Sequence, residues 1–229
     1  MLSSELSDLL ARKRALDSHV QSAAGFAARL RELRAWQGRR FAGSYDDLRR
    51  QRRFAEAVEF FLSDVYEPRD AARRDQDLKR ALNFLEPLLP EAALRALLRS
   101  IELDVLTAEL DQEMVAHLSA GAITEASYGR AYRTVGRADA RSRQIELLLS
   151  VIADLDGIAR HAWIGLVLGA AQLPARAAGF GVLQSFLERG FRVFQRMGGA
   201  GELLRAIRER EVHLMESLFN NRDKAAPCA

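Results

Sequence analysis

An all-α fold follows from three observations in the 229-residue sequence. Leu, Ala, Arg and Glu dominate the composition, and all four are good helix formers. Apolar residues recur in steps of three and four through most of the chain, the period of a helix face. No alternating strand pattern of any length occurs, and only five prolines interrupt the series. The expected architecture is a single-domain bundle of about eight or nine helices. Residues 1–40 form a long heptad-like N-terminal helix or arm, 44–220 the bundle, and 221–229 a polar, disordered tail.

Thirty-four basic residues stand against 31 acidic ones, a net charge of +3 that is too balanced to imply nucleic acid. The longest uncharged stretch, Ala162 to Ala175, is well short of the roughly 20 apolar residues a membrane span needs. The one cysteine, Cys228, can form neither a disulfide nor a thiolate metal site within one chain. Glu5, Asp8 and Arg12 stand where an export signal needs an apolar run, so a soluble, cytoplasmic protein is expected.

The chain opens with Leu2, Leu6, Leu9, Leu16, Val20, Ala23, Ala27 and Leu30 in heptad-like steps up to about Trp36, a narrow seam that needs one partner helix. That partner is another helix of this chain or the same helix of a second copy. Gly38 and Gly43 mark a loop. A helix capped near Ser44 carries Phe54, Val58, Phe61, Leu62 and Val65 inward, with Asp64 half-buried on the flank. Pro68 ends it near Tyr66. Asp70 caps a third helix, with Arg74 and Asp75 in its opening turns.

Glu91 to about Ser119 reads as one long helix that stops at Gly121. Asp104 and Asp111 fall in its apolar stripe, one heptad apart. Tyr128 and Tyr132 share a face of a short helix that begins around Thr124. After Gly136 a helix presents Ile145, Leu148, Ile152 and Leu155, with Arg141 extending the same row. Ala162 to Leu173 is the most apolar segment and is expected as a fully buried central helix. Pro174 opens a helix with Leu183, Phe186, Leu187, Phe191 and Phe194 inward. The last helix carries Leu204, Ile207, Leu214 and Leu218, with Glu211 in the row.

No phosphate loop, dinucleotide fingerprint or nucleophile elbow is present, and Cys228 has no nucleophile context, so no catalytic residue is assigned. A di-metal bundle site needs paired Glu-x-x-His motifs. None of the four histidines has that spacing, so no metal site and no cofactor are expected. The informative pattern is charge inside apolar stripes. A lone buried carboxylate costs several kcal/mol, so such residues need partners. Asp64, Tyr66, Arg74, Asp75, Asp104, Asp111, Tyr128, Tyr132, Arg141 and Glu211 therefore form the expected interior polar network. It serves either as a lock on helix register or as a ligand pocket.

Phe60-Phe61-Leu62-x-Asp64-Val65-Tyr66, then Asp70 and Arg74-Asp75, resembles the signature of an uncharacterised family of all-helical proteins from proteobacteria. The resemblance extends to Leu103-Asp104, Leu110-Asp111, Tyr128, Arg141, Gln144-Ile145 and Leu183–Phe191, covering most of the chain after residue 45. It implies no activity.

The expected function is that of a non-catalytic protein-interaction or regulatory module that self-associates through its N-terminal helix. The alternative is a small-ligand binder or enzyme that uses the interior acids, arginines and tyrosines. A third reading is RNA or DNA binding through Arg29–Arg53, where nine arginines stand against three acids and Trp36, Phe41 and Tyr45 are interleaved. Their place as core anchors in a helix hairpin is the reading preferred over that one.

Overall fold

The computed structural model describes residues 2–22, 25–66, 76–78, 80 and 91–220. Among the described residues there is no strand. The helices are α1 (Leu2–Ser22), α2 (Phe26–Ser44), α3 (Asp46–Arg49), α4 (Ala55–Phe60), a π-helix over Phe61–Tyr66, α5 (Glu91–His117), α6 (Glu125–Val135), α7 (Ala138–Ala159), α8 (Ala162–Ala177), α9 (Gly181–Met197) and α10 (Gly201–Asn220). The fold is an all-α, multi-helix bundle.

The chain groups into two compact units, residues 1–37, 98–149 and 205–229 in the first and 38–97 and 150–204 in the second. The boundaries fall inside helices, where there is no linker composition to read.

In the first unit, Leu30 and Leu33 of α2 pack with Met114 and Val115 of α5 and with Tyr128, Ala131 and Tyr132 of α6. The start of α6 is fixed locally. The Thr124 hydroxyl accepts from the Ser127 amide at 3.2 Å, and the Ser127 hydroxyl accepts from the Thr124 amide at 2.9 Å. This reciprocal box satisfies two of the amides that every helix start leaves unpaired. Of the α1 seam, Leu6 and Leu9 are buried within the chain. Lys13 reaches Asp104 of α5 at 2.5 Å, Arg12 reaches Glu109 at 2.5 Å, and the Gln112 amide donates to the Leu16 carbonyl.

In the second unit, Phe54, Ala57, Val58, Phe60 and Phe61 are buried, as are Leu183, Phe194, Met197 and Leu203. The Phe60 ring stacks on Phe186, with centroids 5.5 Å apart. Arg53 closes the C-terminal end of α9, donating to the carbonyls of Met197 and Gly199 at 2.9 and 3.1 Å and pairing with Glu202 at 2.8 Å. Those are the carbonyls that a helix end leaves without partners.

Several expectations about the elements are corrected. The N-terminal helix is not one long heptad-like helix but two, because Gly25 adopts φ +79°, a left-handed turn that a heptad pattern cannot reveal. Gly38 and Gly43 do not form a loop. Neither has positive φ, and α2 runs through both because Phe41 is buried beside them. Ser44 ends α2 instead of capping the next helix, and Tyr45 precedes α3 with no side-chain cap bond. Pro174 lies inside α8, in its last turn, and the break that starts α9 is at Gly179, φ +83°. A proline removes one backbone donor, and so near a helix end the loss need not terminate it.

Candidate functional site

The first unit holds a buried polar cluster where α2, α5, α6 and α7 meet. Asp111 of α5 is almost wholly inaccessible. Its Oδ2 accepts from Arg34 Nε at 3.1 Å and its Oδ1 from Gln37 Nε2 at 3.0 Å, both on α2. One carboxylate thus receives a charged and a neutral donor from adjacent turns of one helix. This is the kind of satisfaction that makes a buried charge tolerable. Trp36, between those donors in sequence, stacks on Tyr128 with ring centroids 4.3 Å apart.

Arg141, at the start of α7, is also buried. Its guanidinium carbon lies 4.4 Å from the centroid of the Tyr132 ring, a cation–π placement. Among the described residues its one side-chain hydrogen bond is a long one, Nη1 to Gln144 Oε1 at 3.5 Å, and its buried Nε and Nη2 have no partner there. Gln144 in turn donates to Thr107 of α5 at 2.8 Å, tying α7 to α5.

Asp111, Tyr128, Tyr132 and Arg141 therefore lie in one buried region of the first unit. Asp104 does not join them: it is half-exposed and pairs with Lys13. A heptad separates it from Asp111, yet α1 presents a lysine at the surface on one turn, while α2 presents Arg34 and Gln37 inside on the other. Glu211 is half-buried on α10. The side chains of Asp64 and Tyr66, and all of Arg74 and Asp75, lie outside the described residues.

Several arginines of the Arg29–Arg53 segment are engaged with the protein. Arg29 donates to the carbonyls of Ser119 and Gly121 and pairs with Glu32. Arg49 pairs with Glu59, Arg50 with Asp46, and Arg53 with Glu202. Phe41 and Tyr45 are buried, so these rings are core anchors and offer no face to a base.

Sequence reasoning missed Gln37, Asp77, Asp156 and Gln184, all buried. A signal existed for two of them, an acid one turn ahead of an arginine. Asp77 pairs with Arg80 and Asp156 with Arg160, each at 2.6 Å. Among the described residues no group of His, Cys, Asp and Glu could hold a metal ion. Surface hollows of about 420 and about 300 Å³ open beside Arg29 and between Arg12 and Arg143, and neither is lined by Asp111 or Arg141.

The largest correction concerns α8. Expected as a fully buried central helix, it contains no buried residue. One side rests on α9: Gln184 donates to the Leu168 carbonyl at 2.6 Å, and the Phe191 ring sits against Gly165. The other side is open, with Trp163 52%, Leu166 76%, Val167 55% and Leu173 76% exposed. Apolar content shows that a helix seeks cover, not that its own chain supplies it. Leu187 of α9, expected inward, is likewise exposed. No described helix is long and apolar enough to cross a membrane.

Comparison with curated proteins and with solved structures finds no match. One family model does match, over residues 16–225, which reaches into both units and takes in of α1 only residues 16–22. By that match the chain belongs to the domain of unknown function family DUF8198.

Proposed function

We propose that the protein is a non-catalytic helical module that acts by binding another protein through the outer face of α8. The supporting observation is the row Trp163, Leu166, Val167 and Leu173, large apolar side chains at helical spacing that the chain leaves half or more exposed. Apolar patches of this kind on a soluble fold mark contact sites. Self-association through the N-terminal helix is not the contact proposed, because α1 is joined to α5 by Lys13–Asp104, Arg12–Glu109 and Gln112–Leu16. The test is proximity labelling in cells with the full chain and with Leu166→Glu/Leu173→Glu. Both positions are exposed, so the melting curve should not change while the labelled set loses members. An identical labelled set from a folded variant refutes the proposal.

A second reading, an anion site in the first unit, is favoured by the two unpaired nitrogens of Arg141. Phosphate or carboxylate titrated against the protein should then raise its melting temperature, and should not do so in Arg141→Met.

A further inference from the structure

Four charged residues are buried among the described residues: Asp77, Asp111, Arg141 and Asp156. Each of the three carboxylates has an arginine, respectively Arg80, Arg34 and Arg160. Arg141 has no carboxylate among the described residues. Its side chain meets the ring of Tyr132 and, at the long distance of 3.5 Å, the amide oxygen of Gln144. A charge taken out of water without a counter-charge is among the costliest groups a fold can hold, and an arginine cannot shed its proton to escape.

The two nitrogens left over, Nε and Nη2, are not an arbitrary pair. They share one edge of the guanidinium plane, and their N–H bonds run parallel along it. That edge is the fork that receives the two oxygens of a single carboxylate or phosphate. The rest of the group is held in place. Tyr132 covers a face, and Gln144 turns its oxygen to Nη1 because its own amide nitrogen donates to Thr107 at 2.8 Å. The fork is therefore set before anything binds.

Charge decides which anion fits. Arg34 offsets Asp111, so one positive charge in this buried region is left uncompensated. A monocarboxylate brings it to neutrality. A phosphate ester carries about −1.5 to −2 at neutral pH and would leave net negative charge enclosed. Water can accept from the fork, but it leaves the charge as it was. The fork is enclosed, and so an anion enters by a local opening. Phe219, one residue from the end of α10, lies 5.0 Å from Tyr132 between ring centroids. The last turn of a helix is where opening costs least.

We infer that Arg141 binds a monocarboxylate through its Nε–Nη2 edge, inside the first unit. This rests on the reading of the first unit as an anion site, and it names the anion.

The test uses the full chain with acetate, methyl phosphate and acetamide at matched ionic strength. Two signals are followed: the melting temperature, and the Arg141 Nε–H peak in a 15N correlation spectrum, assigned by its loss in Arg141→Lys. Acetate should raise the first and move the second, and acetamide should do neither. Methyl phosphate should bind at least tenfold more weakly than acetate. Arg141→Lys, which keeps the charge but not the fork, should lose tenfold or more in acetate affinity. Arg141→Met should lose all of it. If Arg141→Met does not fold, the lysine variant and the Nε–H peak decide alone. A peptide with a free C-terminal carboxylate, compared with its amide, separates the sources: tighter binding than acetate points to the end of a protein chain, weaker binding to a free acid. Either supports the proposal. Methyl phosphate binding as tightly as acetate, with both lost in Arg141→Lys, overturns the monocarboxylate and leaves the anion site standing. A peak that no anion moves, or an acetate effect undiminished in Arg141→Lys, overturns both.

Discussion

Phe191 occupies the space in which a side chain at Gly165 would grow: a Cβ there falls 2.8 Å from Cε1 of the ring. Gly165 and Gly169 are one turn apart on α8, but only the first has a ring against it: a Cβ built on Gly169 meets nothing within 4 Å. Adding a methyl at Gly169, in open space, should stabilise by about 1 kcal/mol, the usual gain of alanine over glycine in a helix. At Gly165 the same gain is opposed by overpacking of roughly 1–3 kcal/mol, and Gly165→Ala should lower stability. Urea midpoints of the two variants should therefore move in opposite directions. A shift of the same sign at both sites would mean that the ring is not seated where the structure puts it.

Gln37 donates to Oδ1 of the buried Asp111, so Gln37→Leu strands a buried acceptor. The expected loss is about 1–3 kcal/mol. Replacing both partners, Gln37→Leu with Asp111→Leu, should cost less than the sum of the single changes, because neither is left facing an orphaned partner, and Arg34, the other donor to Asp111, is exposed enough to turn to water. Chemical denaturation of the four proteins in the cycle measures this directly, and additive losses would deny the contact.

Arg141 gives the clearest separation between packing and charge. Arg141→Ala removes a buried side chain and should cost about 2–5 kcal/mol, as large-to-small core changes do. Arg141→Met keeps most of the volume and abolishes two unpaired buried donors, so stability should hold or rise by roughly 1–4 kcal/mol. If Arg141→Met destabilises as much as Arg141→Ala, the guanidinium is held by something else, and the anion reading gains.

Thr124→Ala removes one arm of the box that starts α6 and should cost about 0.5–2 kcal/mol, while Thr124→Ser should restore most of it. Thermal melts of the two variants are sufficient. Equal melting temperatures would remove the cap from the account of this helix.

Periodicity located most of the helices because it depends only on which positions are apolar. It read the bounds of α5 and α6 closely and placed Tyr128, Tyr132 and Arg141 on inward rows. It failed where the answer lies in the neighbour. Asp104 and Asp111 occupy equivalent rows of one helix, and only the residues facing them make one a surface pair and the other a buried one. For the same reason α8 looked central: its composition is that of a core helix, and nothing local records that one side stays open. Gly25 and Gly38 show a third limit. The two residues are identical in sequence terms, but one turns the chain left-handed and the other continues a helix.

The division into two units has a consequence for how the protein is made. The first unit draws on three separated stretches, and the last of them begins at residue 205. No single cut yields that unit as a contiguous fragment, and truncation from either end removes part of it. Chains commonly fold domain by domain as they emerge from the ribosome. Here α1 and α2 emerge well before α10, yet all three belong to one unit. Such interleaving makes the first unit wait on α10, and it leaves α1 and α2 open to chaperones in the meantime.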